Sequence, residues 1–419
     1  MSVAERTRLA PAGRLPRLLS GLRNDGHAVS LEAHLRLFAP LPAPSDLVGL
    51  LEASGLRGRG GAAFPTSRKF AAVAAQRDRP VVVANAAEGE PASGKDKALL
   101  RHNPHLVLDG AVLAAVSLGA REAIVAISAD AVLEGKRVAA AIAERGKRRL
   151  DRVMLRLVAV PPAFITGEET ALVRALAGRP AKPTLKPPFP FESGLDGRPT
   201  LVQNVETLAQ LALIARYGPD WFREAGSTDA PGTALVTLSG AIARPGVHEI
   251  ELGWTLGELL ARGGGATEPF SAVLVGGYFG GWVAAAEVDS FPLLPETLGA
   301  GAVIVFPDSA CAVADSALVL RYLAGESAGQ CGPCVNGLAA IADEFERLSS
   351  GRDGAGTATL ERWGRLVTGR GACRHPDGAA RFLDSTMRVF SDELARHARH
   401  GRCGRPVRPI LPLPRGSAA

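Results

Sequence analysis

Residues Pro80–Pro91 read PVVVANAAEGEP. Three valines followed by small residues and then by two acids describe a buried strand that runs out into a loop. Strand candidates of the same kind recur at Glu122–Ile127 and Val153–Val160, and helical stretches at Leu47–Ala53, Lys97–Gly119, Ala131–Ala143 and Thr170–Ala177 alternate with them. That alternation predicts an α/β domain. Open α/β sheets bind ligands beyond the carboxyl ends of their strands, so the loop Asn85–Pro91 becomes the first candidate site. In an extended loop Glu88 and Glu90 point the same way and could hydrogen-bond a ribitol, a ribose or a carboxamide. A solvated acidic turn would use the same residues.

Working outward, residues 1–228 carry the α/β pattern. Residues 229–308 change to short strands and turns: ALVTLSG, ARPGVHEIELG, a short helix at Thr255–Ala261, AVLVGG and a strand at Ala302–Phe306. Residues 309–400 read as four helices, Ala312–Ala324, Gly337–Leu348, Thr357–Val367 and Gly378–Arg399, around a group of cysteines. Residues 401–419 look like a fraying basic tail.

The chain has 419 residues, 47% hydrophobic and 21% charged, which excludes a disordered or fibrous protein and allows two or three domains. A net charge of +6 with no interior basic stripe argues against nucleic acid and for an acidic protein or a dinucleotide as partner. The five cysteines include a tight pair, Cys331 and Cys334, which reads as a metal or cluster site in a reducing compartment. The first residues lack the apolar core of a secretory signal. The most apolar run, Leu106–Gly119, falls short of the roughly 20 residues of a bilayer span. The expectation is a cytoplasmic protein without a membrane span, reaching the inner face of a membrane only through partners.

Three further stretches carry chemistry. Gly55–Lys69, GLRGRGGAAFPTSRK, lets backbone N–H groups approach a phosphate and adds the charge of Arg57, Arg59 and Lys69; a tight surface turn is the alternative. Thr166–Glu169, TGEE, reads as a capping box with Thr166 bonding forward and Glu169 reaching back. Lys182–Pro190, KPTLKPPFP, is a proline-stiffened loop that presents Lys186 and Phe189 to a flat ligand, or serves as a rigid linker.

Together and in this order, GLRGRGGAAFPTSRKF, VVVANAAEGEPASGKDK, FITGEETALV, LKPPFPFESGLDGRPTLVQNVETLA and ESAGQCGPC, with Cys373 in GACRHPDG, resemble the NADH-binding flavoprotein subunit of respiratory complex I and the diaphorase subunits of hydrogenases and formate dehydrogenases. The resemblance spans about residues 50–390. It implies a Rossmann-like FMN domain, a β-grasp module of the soluble-ligand-binding (SLBB) type and a C-terminal four-helix bundle with a [4Fe–4S] cluster. Gly58, Arg59, Gly60 and Lys69 then correspond to the FMN phosphate cradle, and Asn85, Glu88, Gly167, Glu168 and Asn204 to the flavin surround. Phe64 and Phe189 resemble the adenine sandwich. Glu90, Glu169 and Lys186 resemble the groups that fix the nicotinamide and ribose of NADH. The implied activity is that of an FMN-dependent NAD(P)H dehydrogenase passing electrons to a ferredoxin-like or membrane-anchored redox partner.

Three positions depart from the pattern. Ala87 stands where the family has Asp, and Gln203 precedes Asn204 where it has paired asparagines; both resemble the NADH-binding subunit of the Rnf complex. Ala328 replaces the first of the usual cluster cysteines, leaving Cys331, Cys334 and Cys373 for a cluster with one non-cysteine ligand such as Ser327 or water, for a [3Fe–4S] cluster, or for none. Cys311 reads as a buried thiol and Cys403 as a bystander. A degenerate paralogue, kept for docking alone, is the other reading of these losses.

Overall fold

The opening stretch forms β1, Val81–Ala86, and β1 is an interior strand of a four-stranded parallel sheet in the order β3-β2-β1-β4. The partners are β2 (Glu122–Ser128), β3 (Met154–Val160) and β4 (Thr200–Asn204). This computed structural model describes residues 15–22, 26–352 and 356–414. β2 is buried throughout and β1 nearly so, because helices cover both faces of the sheet. Val82, Ala84, Ala123 and Val125 face the helices Pro104–Ser117 and Val205–Tyr217, whereas Val81, Val83, Ile124 and Ala126 face Leu172 and Val173 of the helix Glu169–Leu176.

The helix expected over Lys97–Gly119 is two helices, Lys95–His102 and Pro104–Ser117. Pro104 cannot continue the first helix and begins the second, where its missing N–H costs nothing. Gly110 lets the second helix touch Val205–Tyr217 backbone to backbone: a Cβ there would lie 1.9 Å from the Leu208 carbonyl oxygen. Next to Gly110, Asp109 gathers a buried charge cluster. Asp109 accepts from His34 at 2.7 Å, from Arg145 at 2.8 Å and from Arg216.

The next module is a five-stranded mixed sheet in the order β6-β5-β9-β7-β8, from β5 (Thr233–Gly240), β6 (Gly246–Glu251), β7 (Phe270–Val275), β8 (Gly281–Ala284) and β9 (Ala302–Pro307). Period-two alternation gives β7 and β9 two different cores. Val273, Val275, Val303 and Val305 pack with Leu256 and Leu259 of the helix Leu256–Arg262, while Ala272, Leu274, Ile304 and Phe306 pack against the C-terminal helices.

Those helices are Ala312–Gly325, Ala339–Ser349, Thr357–Val367, His375–Val389 and Ser391–His400. The single helix expected over Gly378–Arg399 breaks at Phe390, which is buried. A π-helical turn, Pro333–Leu338, leads into the second helix and carries Cys334.

Residues 401–414 do not fray. They fold back along the helices as a strap: the Cys311 N–H donates to the Pro406 carbonyl at 3.1 Å, Asp315 accepts from the N–H groups of Ile410 and Leu411 at 2.7 and 3.0 Å, and the Tyr278 hydroxyl donates to the Pro412 carbonyl. The arginines read as a solvated tail are partly spent on this packing, Arg405 on Glu393 at 2.6 Å and Arg408 on Glu268 at 3.2 Å. No helix among the described residues is long and apolar enough to cross a membrane.

Candidate functional site

The chain continues from β1 to β2 and β3 on one side and returns to place β4 on the other, so the crevice at the carboxyl ends of β1 and β4 is where the strand order reverses. Asn85 and Asn204 are register partners there. Asn85 donates to the Gly167 carbonyl at 2.9 Å and accepts from the Ala87 N–H at 3.1 Å, which stitches the β1 loop to the TGEE turn. Asn204 caps the helix Val205–Tyr217 with its oxygen and donates to Asp96 at 2.6 Å.

The two acids of the loop have separate tasks. Glu88 accepts from the Ser93 hydroxyl at 2.6 Å and from the Asp96 and Lys97 N–H groups at 3.1 and 3.3 Å, at the start of the helix Lys95–His102. Burial, and then the neighbouring Asp96, raises its pKa above the ordinary carboxylate range. Glu90 turns to the next module and accepts from the Tyr278 N–H at 2.8 Å and the Ala92 N–H at 3.2 Å. Burial pushes it up to about 7. Beneath both acids Lys95 pairs with Asp96 at 2.6 Å and Glu206 at 2.8 Å, all three buried. Despite burial, Asp96 and Glu206 hold the Lys95 ammonium above its usual pKa. Sequence reasoning missed this triad, although the charge alternation in SGKDK directly after the loop was its one signal.

At the glycine hinge the Gly58 N–H donates to the Phe64 carbonyl at 2.9 Å and closes the turn. The Arg59 guanidinium points inward, donating to the Thr233 carbonyl at 3.0 Å and to the Arg57 carbonyl at 3.1 Å, and the Arg59 N–H goes to Thr207. Gly60, Gly61 and Ala62 are exposed, and among the described residues no acceptor of this chain takes their N–H groups. A string of unspent amides fits a phosphate. Gly60 also sits against Asn204, whose Cβ would be 3.3 Å from a Cβ at the glycine. Phe64 stands beside this hinge, 52% exposed.

TGEE is not the capping box expected. The helix Glu169–Leu176 is capped by Glu168, which accepts from the Thr170 and Ala171 N–H groups at 2.8 and 3.0 Å. Thr166 sits one turn earlier in a 3-10 turn, Phe164–Gly167, where its buried hydroxyl finds no partner. Glu169, freed from capping, accepts from Lys69 at 3.0 Å and from Lys186 at 2.8 Å, and Lys186 reaches Glu168 at 3.0 Å. Burial opposes ionisation of Glu169, but the two ammonium groups hold its pKa below the ordinary range. This chain of four charges joins the glycine hinge to the proline loop. Phe189 on that loop is half-exposed and stacks on Phe191 with ring centroids 5.3 Å apart.

The same 3-10 turn borders a second site. Ile165 lines a small cavity together with Ser327, Ala328, Cys331, Cys334, Cys373 and His375. Burial pushes the Cys334 thiol up to about 11 and raises Cys373, with the neighbouring thiols adding to the effect. Ala328 brings no donor, but the Ser327 side chain lines the same cavity, and the His375 Nδ1 is buried without a partner while Nε2 lies 2.7 Å from the Leu323 carbonyl. Three thiols with an oxygen and a nitrogen donor at one cavity fit an iron–sulfur cluster with one non-cysteine ligand. Glu326 accepts from the Phe164 N–H at 2.8 Å, and Gln330 donates to the Pro183 carbonyl at 2.6 Å, which docks the cysteine turn onto the other site.

Comparison with known proteins finds a family counterpart for each of the two regions that carry these residues. Residues 51–213 match the family model described as the Nuo51 FMN-binding domain, and residues 308–397 match that of the NADH-ubiquinone oxidoreductase-F iron-sulfur binding region. An NADH-quinone oxidoreductase component of Rhizobium meliloti is 34% identical over 374 residues, covering 84% of this chain and 89% of that protein. The HndC component of the NADP-reducing hydrogenase of Solidesulfovibrio fructosivorans is 32% identical, covering 84% of this chain and 76% of its own. Among solved structures, an NAD+-reducing [NiFe]-hydrogenase in the H2-reduced state superposes with a TM-score of 0.83 at 30% identity, over 92% of this chain and 67% of the other.

Proposed function

From the premise that the chain belongs to the NADH dehydrogenase flavoprotein family, with its FMN-binding domain and iron–sulfur region, we propose that it takes electrons from NAD(P)H at the β1/β4 crevice and delivers them through the cysteine site to a ferredoxin-like or membrane-anchored redox partner. The observation that carries this reading is the turn Phe164–Gly167: its Gly167 carbonyl is held by Asn85 of the crevice, and its Ile165 lines the cysteine cavity. A turn shared by the two sites supports electron passage between them.

When bound, FMN accepts an electron pair from a reduced nicotinamide and releases electrons singly. The chain's own contribution is positioning and charge. Gly58 shapes the hinge, and the free amides of Gly60, Gly61 and Ala62 receive the phosphate. Arg59 acts from beneath by holding the hinge on Thr233, and Lys69 sets the positive edge. Asn85, Glu88, Gly167, Glu168 and Asn204 fix the loops around the flavin. Phe64 and Phe189 offer faces for the adenine. Lys186 and Glu169 bind the nicotinamide and ribose end, and Glu90 keeps the acidic loop in place for the same substrate. Cys331, Cys334 and Cys373 hold the cluster.

The test is the full chain purified without oxygen, with flavin and iron content measured and NADH-driven reduction of ferricyanide assayed. We expect a yellow protein with stoichiometric FMN, iron, and NADH oxidation. A colourless chain that folds but ignores NADH would replace this reading with that of a docking protein.

A further inference from the structure

Outside both sites the strap brings together four groups that the reading above does not use. Cys311, Glu393, His397 and Cys403 place one donor atom each so that all four lie within 4.8 Å of one another, with the first three buried. We propose that they form a separate zinc site that staples the strap to the helices.

The donors come from three elements. Cys311 caps the helix Ala312–Gly325, its sulfur accepting the Ala314 N–H at 3.3 Å. Glu393 and His397 are four residues apart on the helix Ser391–His400 and share one face. Cys403 is the strap's own residue, half-buried.

Two features go beyond proximity. The His397 Nδ1 lies 2.5 Å from the Ser349 carbonyl, so it carries the proton, and the bare Nε2 is left 3.2 Å from the Cys311 sulfur. Metal-bound histidines are oriented in this way by a carbonyl behind the ring. Two ligands on one tetrahedral zinc, at sulfur and nitrogen bond lengths of about 2.3 and 2.0 Å, stand about 3.5 Å apart, close to the separation seen. Charge also balances. Two thiolates and the Glu393 carboxylate meet Zn2+ and the Arg405 guanidinium, which lies 2.6 Å from Glu393. Mixed sulfur, imidazole and carboxylate donors in a closed, buried site suit zinc over magnesium or calcium.

The site has a structural consequence. The strap holds the Tyr278 hydroxyl through Pro412, and the Tyr278 N–H is the donor to Glu90, so the staple supports the acidic loop from behind.

The test uses the full chain purified without oxygen, with zinc and iron measured together and Co2+ titrated into zinc-stripped protein. We expect about one zinc per chain and, with Co2+, visible tetrahedral bands with thiolate charge transfer. Cys403→Ser should lose zinc and the cobalt spectrum while keeping its iron and its far-ultraviolet circular dichroism. Cys334→Ser should do the reverse, losing iron and keeping zinc. The proposal is overturned if folded wild-type protein carries no zinc and gives no tetrahedral cobalt spectrum whatever its iron content, if Cys403→Ser keeps its zinc, or if mass spectrometry finds Cys311 and Cys403 joined as a disulfide in the fresh protein. None of these outcomes depends on NADH oxidation.

Discussion

Glu90 accepts the backbone N–H of Tyr278 at 2.8 Å, 188 residues along the chain, and so ties the loop after β1 to the neighbouring module. Burial holds this carboxyl at about 7, against an ordinary value of 4.5. The stability it contributes is therefore full below the unfolded value, falls as pH rises from 4.5 toward 7, and is lost above that window. The change is on the order of 3 kcal/mol. Denaturation of wild type and Glu90→Gln compared from about pH 4 to about pH 8 should show wild type losing ground to the variant across that window; parallel curves would refute the assignment.

Asp109 is the shared acceptor of His34, Arg145 and Arg216, and burial would raise its pKa were it not for Arg216, His34 and Arg145, which drive it far below the carboxylate range. Asp109→Asn leaves two buried guanidinium groups facing an amide. Urea denaturation should show a loss of about 3–5 kcal/mol. A loss below about 1 kcal/mol, the range of surface pairs, would mean the cluster is solvated.

Gly110→Ala places a methyl group 1.9 Å from the Leu208 carbonyl oxygen, a backbone atom that cannot step aside. The two helices must separate, which disrupts the core under the sheet. We expect a cost of about 3 kcal/mol or more, seen as a lowered denaturation midpoint or an insoluble product. Gly135→Ala, at a helix position with open space around it, is the control and should be neutral or stabilising.

Lys186→Met removes one of the two ammonium groups that hold Glu169. If these charges grip the nicotinamide and ribose end, the KM for NADH rises about tenfold, equivalent to about 1.4 kcal/mol, while flavin content stays constant. A variant that instead loses flavin at unchanged KM would move Lys186 to the FMN side of the crevice.

Cys334→Ser should remove iron yet leave FMN and NADH–ferricyanide activity within about twofold of wild type, because neither the glycine hinge nor the four charges line the cysteine cavity. Ser327→Ala and His375→Ala, compared by iron content, then show which donor replaces the cysteine missing at Ala328.

Much of the fold follows from local patterns: the valine run of β1 and the short strands around β7 and β9 are written in short stretches of sequence, whereas Lys97–Gly119 reads as one helix across the break at Pro104. The glycine hinge and the cysteine turn could be located in the same way. What each side chain touches could not. Glu88 and Glu90 are two residues apart, yet one caps a helix and the other reaches Tyr278, a partner supplied only when the modules meet. TGEE satisfies the spacing of a capping box, but the helix starts two residues later, so Glu168 takes the cap and Glu169 is released to the lysines. The arginine-rich end read as solvated because its acidic partners, Glu393 and Glu268, lie on other elements. Cys311 and Cys403 are far apart in sequence, and no spacing rule joins them.

β7 and β9 lend alternate residues to two separate cores, so neither the five-stranded module nor the helices beyond it can open without exposing apolar surface of the other. The pair should melt as one calorimetric transition, and a protease should find no seam between them to cut.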